Sequence, residues 1–109
     1  MDQNKFSLAF AKSKIDELAE QHSKAEDDWL YETIELDAVK VIADFCRFNN
    51  RNDIAIKIDE LFQKAEEDLD AYDELFELIQ DTESKFSVTD EYLELRNYFI
   101  QKFWPNQND

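Results

Sequence analysis

Seven carboxylates, Glu66, Glu67, Asp68, Asp70, Asp73, Glu74 and Glu77, fall within twelve residues with no base among them. Carboxylates at this density can hold a hard cation, share a proton in acid–base work, or attract a cationic protein. A calcium loop needs a glycine at its bend and oxygen ligands at fixed offsets. The stretch DLDAYDELFE has Tyr72 where a third ligand falls due, and the chain contains no glycine at all. A di-iron bundle needs Glu-x-x-His pairs on facing helices. The single histidine, His22, instead has Ala19 three residues before it. The expected metal content is none, no cofactor is implied, and no carboxylate pair stands out for catalysis. Attraction of a cationic protein remains.

The other reactive side chains offer little. His22 closes the apolar stripe of a first helix near its C-terminus, where the helix dipole favours a protonated imidazole and a capping or core-edge role follows. Cys46, the only cysteine, lies between Phe45 and Phe48 with no evident base or helix N-terminus beside it, as expected of a buried, inert thiol. With one His, one Cys and no Gly, nucleophile triads and oxyanion loops have nothing to be built from. The chain is not expected to be an enzyme.

The elements that must position these residues follow from helical periodicity. Leu8, Ala11, Ile15, Leu18 and His22 predict a first helix from about Asn4 to His22. Ser23 or Asp27 offers the N-cap of a second, whose apolar face is Leu30, Ile34, Ala38, Val41, Ile42, Phe45 and Phe48. Asn49, Asn50, Arg51 and Asn52 end it, since asparagine tolerates the left-handed conformation better than other non-glycine residues. Trp29 and Leu36 project away from that inward face, and either pack under a neighbouring helix or anchor a partner. Trp104, beside Pro105, carries the same two readings.

Ile54, Ile58, Leu61, Ala65, Leu69, Tyr72, Phe76 and Ile79 then make one unbroken stripe. Asp68 falls inside it, so residues 53–80 form either one helix with Asp68 at a wet margin or two helices divided near 67–70. A polar loop spans 81–87. Thr89 is the N-cap of a last helix, with Asp90 and Glu91 in its first turn and Val88 facing Leu93 as a hydrophobic staple. Its inward residues are Tyr92, Leu95, Phe99 and Phe103, and it stops before Pro105. No run alternates long enough for a strand. The fold class is all-α, a compact antiparallel bundle of four or five helices in a single domain, residues 1–109.

On one continuous helix the acids other than Asp68 fall on the arc opposite the apolar stripe, joined by Asp59, Glu60 and Asp81. Twelve helical residues span about 18 Å, so seven charges sit roughly 2.6 Å apart, between duplex DNA at about 1.7 Å and a single strand at about 3.4 Å per charge. Like charges four apart, such as Glu66 with Asp70, oppose helix formation by about 0.2–0.5 kcal/mol each. The face tolerates that repulsion without compensating lysines. A merely solubilising face is the plainer reading, but such faces intersperse both signs, as the first helix does with Lys12, Lys14, Asp16, Glu17 and Glu20.

Composition sets the outer bounds. The 109 residues are 43% hydrophobic with fifteen aromatics, which excludes a disordered chain despite 36% charge. Residues 1–52 carry 11 acids and 7 bases (−4), residues 53–94 carry 15 and 3 (−12), and residues 95–109 carry 1 and 2 (+1), giving −15 in all. A polyanion of this kind is not expected to bind nucleic acid directly. Without a signal-like apolar core or 18 consecutive apolar residues, no membrane association is expected and the cytoplasm is the expected location.

In these properties the whole chain resembles the small acidic helical immunity proteins of bacteria, which neutralise nuclease toxins of contact-dependent inhibition and colicin-type systems. No diagnostic motif is shared, so no residue roles carry over. The resemblance implies that an acidic surface covers the basic, substrate-binding cleft of a nuclease toxin. The expected partner-binding residues, taken from the charge pattern, are Glu66, Glu67, Asp70, Asp73, Glu74 and Glu77. Two alternatives stand beside this: a phage-encoded nucleic-acid mimic that blocks a host defence or transcription protein, and a helical adaptor that binds through exposed aromatics such as Trp29 and Trp104.

Overall fold

The computed structural model describes residues 7–104, and among them every regular element is helical. Helix α1, Leu8–Lys24, starts where the Ser7 hydroxyl accepts the amide N–H of Phe10 at 3.2 Å. It begins later than the apolar spacing predicts; Asn4 lies outside the described residues. Helix α2, Asp28–Phe48, is capped by Asp27, whose carboxylate accepts the Leu30 N–H at 2.8 Å. It ends in a Schellman turn. Asn50 takes φ 63°, the Arg51 N–H reaches the Cys46 carbonyl at 2.7 Å, and the Asn50 N–H reaches that of Arg47 at 3.4 Å. Asparagine thus fills the left-handed position in a chain without glycine.

Residues 53–80 do not form one helix. Helix α3 is Asn52–Ala65 and α4 is Asp70–Gln80. Between them Asp68 turns its carboxylate onto the Asp70 N–H at 3.0 Å, so the residue that broke the apolar stripe also starts the next helix. The turn resets the helical phase. Leu69, expected inside, is 76% exposed, while Ala71, Leu75 and Leu78 join Ile79 in the core. The segment that follows is not simply a loop: Thr82–Ser84 form a 3-10 turn, and the Thr82 hydroxyl is buried against the Tyr92 hydroxyl at 2.7 Å. Helix α5, Asp90–Phe103, is capped by Thr89, whose hydroxyl accepts the Tyr92 N–H at 3.1 Å. Tyr92, Leu95, Phe99 and Phe103 are buried as their spacing predicts.

Helix α2 is central, packed against α1, α3 and α5. Of its expected inward face, Ile34, Ala38, Ile42 and Phe45 are buried and Val41 is half-buried. Leu30 and Phe48, at its two ends, are exposed; Val39, Ala43 and Cys46 fill the core because α2 has neighbours on several sides. Arg47 pairs with Asp59 and Lys40 lies over Phe62, so α2 and α3 run antiparallel. Ile79 meets Arg96 and Phe76 meets Trp104, so α4 and α5 do too. Glu35 meets Trp104 at one end of α2 and Tyr92 lies near Cys46 at the other, which sets α5 antiparallel to α2. It follows that α2 and α4 run in the same direction, and Lys12 with Glu94 and Asp16 with Lys102 set α1 and α5 in a common direction too.

Arg96 joins the parts. Only 5% exposed, its guanidinium donates to the carbonyls of Ile79 and Gln80, both at 2.9 Å, and grips the Glu83 carboxylate through two further bonds of 2.9 Å. It therefore supplies donors to carbonyls at the end of α4, where the helix itself runs out of amide donors. No helix among the described residues is long and apolar enough to cross a membrane.

Candidate functional site

The sequence-predicted acids divide between two elements. Asp70, Asp73, Glu74 and Glu77 share one exposed arc of α4, whereas Glu66 and Glu67 sit in the turn before it. The single twelve-residue ridge is thus corrected to a shorter one: eight helical residues span about 12 Å, close to 3 Å per charge and nearer a single strand than a duplex. Asp59 and Glu60 belong to α3, and Glu66 and Asp70 do not share a helix, so the helical i, i+4 spacing expected for that pair does not apply. Lysine compensation is not absent either, since Lys64 approaches Glu74 at 3.4 Å. That contact places Glu74 on the α3 side of α4. By helical rotation Asp73, with Leu69, Tyr72 and Phe76, lies on the other.

On that other side α4 faces α2 without packing on it; no Cα of one comes within 8 Å of a Cα of the other. The gap is a cleft of about 200 Å³, lined by Glu32, Glu35 and Leu36 from α2 and by Tyr72, Asp73 and Phe76 from α4. Trp104, the residue after α5, packs edge-on against Phe76 at 4.9 Å and Phe99 at 4.7 Å, and its side chain hydrogen-bonds to Glu35. Trp104 therefore packs inside the bundle and links both walls of the cleft. Tyr72 stacks along Phe76 at 6.4 Å.

The electrostatics of the cleft are one-sided. Burial pushes the Glu35 carboxyl above its ordinary range; the Trp104 bond opposes that shift and the neighbouring Glu32 adds to it. Glu35 also meets Nε2 of His22 at 3.2 Å, and the imidazole is wedged between Tyr31 and Phe103. Burial lowers the His22 pKa, so the protonated form expected from the helix dipole is not favoured; desolvation between two rings outweighs the dipole. No described cation lies within ion-pairing distance of Glu32 or Asp73. The same holds for Asp70 and Glu77. Cys46 is buried, with its thiol pushed up to about 12, mainly by desolvation, which leaves it unreactive at neutral pH.

Comparison with protein-family models, curated proteins and solved structures finds no match. The geometry alone carries the functional argument. Among the described residues no group of three or more His, Cys, Asp or Glu side chains is arranged to hold a metal ion.

The residues that charge pattern alone missed are those of α2. Residues 26–37 contain Glu26, Asp27, Asp28, Glu32, Glu35 and Asp37 with no base, a second acidic run readable in the sequence. Trp29, Glu32 and Leu36 are spaced i, i+3 and i+7, which puts them on one face. Leu36 is half-buried beside the cleft, while Trp29, two turns earlier, is 73% exposed. Leu69 stands in the same relation to Phe76 on α4. Because the two helices run the same way, both exposed apolar side chains lie at one end of the cleft.

Proposed function

We propose that this chain is an immunity protein that captures and neutralises a basic nuclease toxin of the contact-dependent inhibition or colicin type in the cytoplasm of the producing cell. The observation that carries this reading is the group Glu32, Asp70, Asp73 and Glu77 on α2 and α4, none with a described cation in ion-pairing distance, set beside exposed Trp29 and Leu69. Unpaired acids speed capture of a cationic surface and fix its orientation, and an exposed aromatic supplies an anchor. The partner-binding residues assigned from sequence remain part of the proposal in amended form. Asp70, Asp73 and Glu77 face the partner, Glu66 and Glu67 flank it in the turn, and Glu74 is partly answered by Lys64.

The nucleic-acid mimic gains nothing from the shortened ridge. The adaptor reading gains from the exposure of Trp29, but not from Trp104, which is engaged in the core. Recovery of the bound protein from native cells, followed by co-expression protection assays, tests the proposal. The expected partner is a basic nuclease released by rising salt. Reversing Asp70, Asp73 and Glu77 to lysine together is expected to raise its off-rate and abolish protection while leaving the helical circular dichroism unchanged. Full protection by that triple variant rules out this surface.

A further inference from the structure

We propose that the cleft between α2 and α4 is a receptor for one arginine side chain of a basic partner, with its guanidinium between Glu32, Glu35 and Asp73 and its stem along Leu36, Tyr72 and Phe76. The inference rests on the reading of the chain as a binder of basic proteins and names the contact at the centre of that interface.

Size excludes larger occupants. The cleft is about 200 Å³, below the roughly 300–1,000 Å³ of pockets that enclose a drug-sized ligand. One long side chain fits; a helix or a nucleotide does not. Charge selects the sign, because carboxylates come from both walls and neither Glu32 nor Asp73 has a described cation within reach.

Shape favours arginine over lysine. A guanidinium is planar, less strongly hydrated than an ammonium, donates to carboxylates on several sides and stacks on aromatic rings, and Tyr72 and Phe76 offer nearly parallel rings. Depth adds a reason. Glu35 is held part-buried by Trp104 and His22 in a setting that disfavours its charge, and a cation entering the cleft relieves that cost. The neighbouring surface suits a protein rather than a free amino acid, since Trp29 and Leu69 extend the apolar contact beyond the mouth of the cleft.

The test uses blocked tripeptides, Ac-Gly-Arg-Gly-NH2, its lysine counterpart and its neutral citrulline counterpart, titrated into the full chain at about 150 mM salt, where surface attraction is largely screened. The indole N–H of Trp104 is the reporter, because it bonds to Glu35 and only one other tryptophan is present. The arginine peptide is expected to produce a saturable shift of that indole and of Leu36 and Phe76. Affinity should be about tenfold above citrulline, as for a charge-assisted contact of 1.5 kcal/mol. Glu32→Gln with Asp73→Asn, neither with a described cation in reach and so not expected to disturb folding, should remove that advantage. Equal binding of citrulline or lysine overturns the assignment, as do shifts scattered over Glu66, Asp70 and Glu77. The two readings separate cleanly. Seating of the arginine peptide supports the cleft even if no basic protein is ever recovered, whereas a basic partner unaffected by the double neutralisation overturns the cleft and spares the wider surface.

Discussion

The faces formed by α1 with α5 and by α2 with α4 handle the same residue types in opposite ways. On the first, Lys12 pairs with Glu94, and Tyr98 lies beneath both Lys12 and Lys102, at 5.2 and 5.4 Å, while Asp16 meets Lys102 at 3.6 Å and accepts from the Tyr98 hydroxyl. The depression there is the larger, about 530 Å³, but every charged group lining it has an internal counterpart. On the second, a cleft of about 200 Å³ gathers carboxylates with no described cation in reach of Glu32 or Asp73. Volume alone does not mark a binding surface in this protein. The two differ in whether their charges find a described counter-charge, and the proposed partner surface is the one whose charges do not.

The difference has consequences for stability, since internally paired charge should matter to folding and unpaired charge should not. The largest effect is expected where pairing is most complete. Arg96→Ala removes a buried guanidinium that donates to the Ile79 and Gln80 carbonyls and to Glu83, and should cost about 2–4 kcal/mol in urea unfolding. A loss below about 1 kcal/mol would show that water replaces the guanidinium and that the paired interior is not special. On the paired outer face, Lys12→Ala should cost less, about 0.2–1 kcal/mol, because Lys12 and Glu94 are surface groups. Smaller still, Glu32→Gln and Asp73→Asn should each change stability by no more than about 0.5 kcal/mol, as surface substitutions outside the packed core do.

Proton linkage gives a further contrast whose sign is its content. The raised Glu35 pKa means that its contribution is fully present below the unfolded value near 4.5 and is lost as pH rises through the folded value. Glu35→Gln should therefore gain on the parent chain as pH climbs past 4.5. The lowered His22 pKa acts oppositely: its contribution is present above 6.5 and is lost as pH falls through the folded value. His22→Gln should flatten that acid-side decline. Unfolding midpoints across pH 4 to 8 for the three proteins check both signs.

Several helix ends decided by one side chain were readable in the sequence, though the Ser7 cap of α1 was not. Asp27, Thr89 and the asparagine-rich turn at Asn50 behave as their chemistry requires. The division of residues 53–80 was not, because the apolar steps from Ala65 through Leu69 to Tyr72 stay in helical phase across the turn. Only the Asp68 carboxylate on the Asp70 N–H separates the two possibilities, and that bond has no periodic signature. Half of the cleft was visible in Asp73, yet its other wall was not. Glu32, Leu36 and Phe76 come to line one cleft through the tertiary fold, in which Trp104, distant in sequence, touches both Phe76 and Glu35.

The most direct test compares two double neutralisations that change net charge equally. Glu32→Gln with Asp73→Asn alters the cleft; Asp16→Asn with Glu94→Gln alters the paired face. Binding of the basic protein recovered from native cells should weaken about tenfold or more for the first pair and less than about threefold for the second. Equal losses would mean that bulk negative charge, rather than the cleft between α2 and α4, captures the partner.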